Sequence, residues 1–263
     1  MTNFDKGKSV LVTGHTGFIG FWLTNVLIML GSNICGYSPY YFAISPKNNE
    51  WIYPYREIDP LGGKDPYSAS KLCQDIIVNS FRESYFNNMG TSVSLIRAGN
   101  VIGRGDWGKY RIVPDIVKSL SKNEVIETRN PDSVRPWQFV LEPIYGMPKL
   151  AEKMWHDIKL SEDWNFEPKL QQEIPVRKLV EEFIKRWGRG SYSVAGSTDQ
   201  IEAKYLRLDI SKAMEELKWF PLYEFETTIK KTVDWYKEYY RDITKIDLLT
   251  ETQIEEYFRW HKN

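Results

Sequence analysis

Cysteine is nearly absent: two occur in 263 residues, Cys35 and Cys73. That excludes a disulfide framework and gives no support to a cysteine-built zinc site, so no metal is expected. Each thiol is expected to be a small buried apolar residue. An excess of charge of either sign is absent too, with 35 Lys plus Arg against 35 Asp plus Glu. Such a balance sets up no global field for nucleic acid or an anionic membrane. No run of 18 apolar residues occurs, so no membrane-spanning helix is expected. The opening MTNFDKGKSV has no apolar core of a signal peptide, and the expected location is the cytoplasm. Internal repeats and low-complexity tracts are also lacking. What is abundant is aromatic: 10 Trp and 16 Tyr, several beside Pro, Arg or Gly as in Arg135-Pro136-Trp137. Rings so placed suit either core packing or stacking on a base or sugar.

The chain opens as a β-α-β unit. Lys8–Thr13 (KSVLVT) reads as a buried strand, Phe21–Leu30 as an apolar helix closed by Gly31, and Asn33–Tyr37 as a second strand. Between the first strand and the helix lies GHTGFIG, residues 14 to 20. In such a loop the first glycine, Gly14, allows the tight turn. Gly17 lets backbone approach a pyrophosphate, and Gly20 lets the helix pack on the sheet. The helix N-terminus adds free N–H groups and a positive dipole end for phosphate. Gly14, Thr16, Gly17, Phe18, Ile19 and Gly20 are therefore candidate cofactor-binding residues, joined by Tyr67 and Lys71 further along the chain. The second strand ends Gly36-Tyr37-Ser38, without the acidic residue that grips an adenosine ribose. NAD and NADP are not separated by this position.

Pro66 opens a helix expected over Tyr67–Asn87, and Tyr67 and Lys71 fall one turn apart on it. An ammonium beside a phenol favours the phenolate, which can take a hydroxyl proton while hydride leaves for a nicotinamide. The spacing alone carries little, since Tyr145 and Lys149 share it with Pro148 between them. Position lends Tyr67 and Lys71 their weight: GGKDP leads into YSASK at a helix start, downstream of a dinucleotide loop. Further on, Ser92–Arg97 reads as a strand, Ile112–Leu120 as a helix, and Val134–Val140 as containing a short strand. Leu141–Met154 reads as a helix broken near Pro148. Val176–Trp187, Ser211–Leu217, Thr227–Tyr240 and Thr252–Trp260 read as helices.

VTGHTGFIG, YREIDPLGGKDPYSASK, RAGNVIGRGDW, RNPDSVRPWQFVLEP, WNFEP and EAKYLRLDISKA together resemble the extended short-chain dehydrogenase/reductase superfamily. More narrowly they resemble its CDP-glucose 4,6-dehydratase family, the Gly-Asp-Trp and RPWQ-VLEP segments most specifically. The resemblance implies NAD as cofactor, CDP-glucose as the nucleotide-sugar substrate and CDP-4-keto-6-deoxyglucose as product. Tyr67 is the implied base at the C4 hydroxyl. Asn100, Arg135 and, less securely, Arg111 are the implied substrate contacts, arginine suiting a diphosphate through its planar fork. It also implies a homodimer, with the Tyr/Lys helix in a four-helix bundle. Leu72, Ile76 and Val78 fit that role or a core one.

One departure is large. Only 29 residues separate Tyr37 from Tyr67. Three further strand–helix units belong there in a doubly wound sheet, so the deficit is on the order of 60 residues or more. The family's Thr-Ser-Asp-Lys segment, implied to supply a polarising Thr and an acid Asp, is replaced ahead of Glu50-Trp51 by YYFAISPKNN. Ser45 is a poor substitute. The fold expected is α/β, a truncated Rossmann-type parallel sheet with a smaller C-terminal nucleotide-sugar-binding subdomain. The cofactor part is expected over 1–130 and the substrate part over 131–263. Loss of central strands leaves a gap in the sheet or a new pairing of the first strand with Ser92–Arg97. Either exposes apolar surface and lowers stability. Three readings stay open: a dehydratase, a non-catalytic nucleotide-sugar-binding descendant, and a fragmentary descendant. A 4-epimerase or reductase of the same superfamily is a weaker enzyme alternative.

Overall fold

In a computed structural model, residues 4–13, 17–37, 54–60, 62, 66–109, 111–169, 174–195 and 207–260 are described. In chain order the elements are β1 (Ser9–Thr13), α1 (Phe18–Met29), β2 (Asn33–Tyr37) and α2 (Pro66–Phe81), which runs into a π-helical turn, Arg82–Phe86. Then come β3 (Leu95–Ala98), β4 (Asn100–Ile102), α3 (Ile112–Lys122), β5 (Ile126–Thr128), β6 (Val134–Arg135), β7 (Trp137–Phe139) and α4 (Leu141–His156). The remainder is β8 (Asp163–Phe166), β9 (Ile174–Pro175), α5 (Val176–Trp187), β10 (Tyr192–Val194), α6 (Ser211–Glu216), α7 (Phe225–Arg241) and α8 (Ile246–Trp260). Among the described residues no helix is long and apolar enough to cross a membrane.

The chain divides into two units, each drawn from three stretches. The first comprises Met1–Ala98, Glu142–Glu167 and Arg207–Pro221. The second comprises Gly99–Leu141, Pro168–Leu206 and Leu222–Asn263.

In the first unit β1 pairs with β2 and β3 with β8, both in parallel, as two separate sheets. Of the two outcomes expected from missing strands, the described residues show the gap; β1 and β3 do not pair. The surface consequence is visible on β1. Val12 is buried, but Leu11 is 63% exposed and stands opposite Cys35, which is also exposed. Both cysteines are exposed, contrary to the expectation of burial. Cys35 sits on a sheet face that none of the described residues covers, and Cys73 on the solvent side of α2.

The other face of the β3–β8 pair is well packed. Trp164 and Phe166 of β8, Leu150 of α4, Ala213 of α6, and Leu217 and Trp219 beyond it form one buried cluster. Phe166 meets Trp219 edge-on at 4.7 Å, and Trp219 Nε1 donates to the Glu142 carbonyl. The expected break at Pro148 does not occur, for α4 runs through it. An internal proline costs about 3 kcal/mol. Burial of Ile144 and Leu150, at about 1.5–3 kcal/mol each, offsets that.

In the second unit α3, α5 and α7 enclose a core that includes Ile116, Leu120, Phe183, Ile229 and Val233, with Trp137 from β7 and Ile126 from β5. β4 pairs with β7 and β5 with β10 in parallel, and β6 with β9 antiparallel. The stretch Val134–Val140, expected to contain a short strand, holds two, β6 and β7, on either side of Pro136. Trp137 is 2% exposed and donates through Nε1 to the Ile174 carbonyl, so its ring is core and not a stacking surface.

Candidate functional site

Each unit carries part of the expected site. In the first, Gly17 is the N-cap of α1, in extended conformation (φ −78°, ψ 167°). Phe18, Ile19 and Gly20 form the first helical turn, which begins with the Phe21 N–H donating to the Gly17 carbonyl at 2.8 Å. The first turn of a helix directs its N–H groups toward the N-terminal end, and no acidic side chain stands in it. The donor set therefore fits an anionic pyrophosphate. Gly14 and Thr16 lie outside the described residues, as does YYFAISPKNN.

Tyr67 lies in the first turn of α2, and its side chain is outside those described. Lys71 follows one turn later and is only 6% exposed. Its Nζ donates to Gln74 Oε1 at 3.2 Å. Burial pushes the ammonium below the ordinary lysine range, while the nearby Asp75 charge opposes that shift.

Asp75 belongs to a layer of charge between α2 and the polar face of the β3–β8 pair. Along β8 the apolar Trp164 and Phe166 face the cluster already described. Asp163 and Asn165 face the other way, as the alternation of a strand requires. Arg97 of β3 donates to Asp75 Oδ2 through Nε (3.2 Å) and Nη2 (2.9 Å), and to Asp163 Oδ2 at 2.6 Å. Its Nη1 reaches the Glu57 carbonyl at 3.3 Å. Arg82, in the π-helical turn, donates to Asp163 Oδ1 at 2.8 Å. Asn165 bonds the carbonyls of Tyr55 and Asp209, and its N–H donates to Glu57 Oε1 at 2.9 Å. Burial raises the Asp75 carboxyl, against the opposing effect of Arg97. None of these residues was singled out from the sequence. A signal was available: Asp75 is one turn beyond Lys71 on an apolar-rich helix, and Arg97 is the one charge in the strand SLIRA.

Tyr145 and Lys149, the pair of equal spacing, have structural employment. Lys149 Nζ donates to the Lys218 carbonyl at 2.8 Å, and burial raises the Tyr145 phenol.

In the second unit Asn100 lies in β4, a strand position and not a turn, with its N–H donating to the Pro136 carbonyl at 3.1 Å. That bond sets it beside Arg135, which is half-buried on β6 and donates through Nη1 to the Val134 carbonyl. Arg111 is the N-cap of α3, its side chain 53% exposed and paired with Asp106 Oδ2 at 2.8 Å. The Gly-Asp-Trp turn builds that pair. Asp106 also accepts from the Gly108 N–H at 3.1 Å, and a Cβ at Gly108 would lie 2.6 Å from Arg111 Cδ. Tyr236 clamps the turn, its hydroxyl accepting from the Asp106 N–H and donating to the Asp106 carbonyl. Among the described residues no cluster of His, Cys, Asp and Glu is arranged to hold a metal.

A parallel β-α-β opening, an extended glycine cap at a phosphate-ready helix and a buried lysine one turn past a tyrosine define an α/β protein of the Rossmann type. The chain belongs to the GDP-mannose 4,6 dehydratase family, whose model matches residues 47–232. It is 41% identical over 201 residues to CDP-glucose 4,6-dehydratase of Salmonella typhimurium, an alignment covering 74% of this chain and 56% of that protein. The chain thus spans about half the length of the curated relatives it matches. Among solved structures, an epimerase from Methanothermobacter thermautotrophicus superposes with a TM-score of 0.78 at 19% identity, covering 92% of this chain and 96% of that one. A dTDP-glucose 4,6-dehydratase from Bacillus anthracis, in complex with NAD, does so with a TM-score of 0.72 at 17% identity, covering 88% and 97%. These two likenesses bear on the fold alone.

Proposed function

We propose that the protein is a sugar-nucleotide 4,6-dehydratase converting CDP-glucose to CDP-4-keto-6-deoxyglucose with NAD. The observation that carries the proposal is the 41% identity to CDP-glucose 4,6-dehydratase, joined to the burial of Lys71 one turn past Tyr67. In this reading the cofactor part expected over 1–130 and the substrate part over 131–263 correspond chiefly to the first and second units. Gly14, Thr16, Gly17, Phe18, Ile19 and Gly20 would hold the pyrophosphate of NAD through backbone N–H groups at the head of α1. NAD would supply the oxidation at sugar C4 and the matching reduction at C6. Tyr67 would remove the C4 hydroxyl proton, and Lys71 would favour its phenolate while contacting the cofactor. Asn100 and Arg135, on adjoining strands, would bind the nucleotide-sugar, with Arg111 as a further diphosphate contact.

The chain is expected to pair as a homodimer through α2. Ile76, Ile77, Phe81 and Tyr85, on α2 and the π-helical turn, are each about half exposed or more, which suits a helix-bundle partner. A cytoplasmic setting would keep the two exposed thiols reduced.

The gap between β1 and β3, with YYFAISPKNN ahead of Glu50-Trp51, favours a second reading, a non-catalytic or fragmentary descendant. Purified protein incubated with CDP-glucose and NAD decides between them. A 4-keto sugar, seen by its absorbance in base and abolished by Tyr67→Phe, is the expected result. A folded protein that binds CDP-glucose but gives no product would overturn the dehydratase reading. Activity that survives Tyr67→Phe would overturn the assignment of the base.

A further inference from the structure

The layer beneath α2 gives Lys71 an anionic neighbour with a fixed position. Asp75 is one helical turn from Lys71, so the two side chains share a face with Cβ atoms about 5–6 Å apart. The Asp75 carboxylate is not a swinging surface group: it is 5% exposed, and two N–H groups of Arg97 land on its Oδ2. Arg97 is anchored in turn by Asp163, which Arg82 holds from the far side. We propose that Asp75 is a positioning residue for the Tyr67–Lys71 pair, its Arg97-held carboxylate keeping the buried Lys71 ammonium charged and in place. The inference rests on the reading of Lys71 as the partner of Tyr67, and it extends that reading to a residue that touches neither sugar nor cofactor.

The electrostatics decide the sign. Burial works against charge on Lys71, and Asp75 is the charge that opposes it. The other described charged groups of the layer are Arg97 on β3, Asp163 on β8, Arg82 in the π-helical turn and Glu57, whose Oε1 accepts from the Asn165 N–H. The charges of the two arginines are shared with Asp163, and among the described residues Asp75 is the anion within one turn of Lys71. Removing its charge takes that opposition away, and the ammonium then gives up its proton at lower pH. A lysine that has lost its charge no longer favours the Tyr67 phenolate.

The test reads Lys71 directly, without turnover. In full-length protein carrying 13C-lysine, the Lys71 ε-carbon signal is assigned by its loss in Lys71→Met and followed through a pH titration. Asp75→Asn is expected to lower the Lys71 midpoint by about one pH unit, the lower end of what a nearby opposite charge contributes. Asp75→Glu is expected to restore most of the shift. If Asp75→Asn fails to fold because Arg97 is left unpaired, the double variant Asp75→Asn/Arg97→Gln removes both partners, and its midpoint, read against that of Arg97→Gln alone, isolates the Asp75 charge. A midpoint unchanged within 0.2 units, or an Asp75→Glu variant no different from Asp75→Asn, overturns the proposal. Where the protein turns over CDP-glucose, the alkaline limb of kcat should move down with the midpoint. Absence of turnover bears on the proposed reaction alone and leaves the titration to decide the role of Asp75.

Discussion

Glu167, the acid of WNFEP, makes the stability of this protein depend on pH in an unusual direction. It is 2% exposed at the end of β8. Its Oε2 accepts from the Leu208 N–H, and its Oε1 has no hydrogen-bond partner among the described residues. Burial drives its pKa well above the ordinary carboxyl value of 4.5, and the Leu208 bond and Arg207 counter that only in part. In the unfolded chain the same group ionises near its ordinary pKa. A raised folded pKa means that the stabilisation is complete below the unfolded pKa and is lost as pH rises toward the folded one. Across that window, which opens at about pH 4.5, the native state forfeits ~1.4 kcal/mol per pH unit through this one group. Other raised carboxyls, Asp75 and Glu57 among them, add slopes of the same sign. The quantity to follow is therefore the difference between wild type and Glu167→Gln, which retains the acceptor for Leu208 and carries no charge. Urea unfolding of both proteins at pH 5 and pH 6 should show Glu167→Gln gaining on wild type over that interval, by at most about 1.4 kcal/mol. Parallel pH profiles, or a variant that falls behind as pH rises, would refute the assignment of a neutral buried acid.

Gly146→Ala should lower stability although alanine is the better helix former. The new Cβ would lie 2.7 Å from two ring carbons of Phe166, which Trp219 prevents from retreating. An overpacking cost of about 1–3 kcal/mol exceeds a propensity gain of ~1 kcal/mol, and a thermal melt should show the loss. Both Cys35 and Cys73 should react with a thiol reagent in the native protein, giving two equivalents without denaturant; a single equivalent would place one of them behind a cover. Leu11→Thr should change stability by less than about 0.5 kcal/mol in chemical denaturation, because Leu11 is already 63% exposed. A loss of about 2 kcal/mol or more, as expected for a core aliphatic, would mean that the β1 face is covered in solution.

Elements with strong local signals were legible in the sequence. The second strand, Asn33–Tyr37, and the helix Val176–Trp187 have the bounds read from their residues, the helix ending at Gly188 with φ +91°. Other boundaries moved for reasons that lie far along the chain. β3 starts at Leu95 and not Ser92, because Val93 and Ser94 bond Ser161 and the Leu160 carbonyl. α8 starts at Ile246 and not Thr252, because an Asp242-capped turn feeds directly into it. The short strands β4, β5, β8, β9 and β10 were not read from the sequence. Two to four residues are too few to show a period, and each exists through a partner distant in sequence.

The candidate site divides along the same line. Its backbone parts, the glycine cap of α1 and the Tyr67–Lys71 turn, are local features and carry local signals. The charge layer under α2 is non-local: Arg97 meets Asp163 across 66 residues of chain. Its clues are charges standing where apolar residues would pack, Asp75 on α2 and Arg97 in SLIRA. Breaking one partner of such a buried pair costs about 3–5 kcal/mol, so these charges are held as a set. The same non-locality explains the exposed face of β1. Leu11 and Val12 are both written for burial, as a central strand needs, but among the described residues only Val12 finds a cover. The residues of β1 therefore still specify a sheet wider than the one the described chain builds.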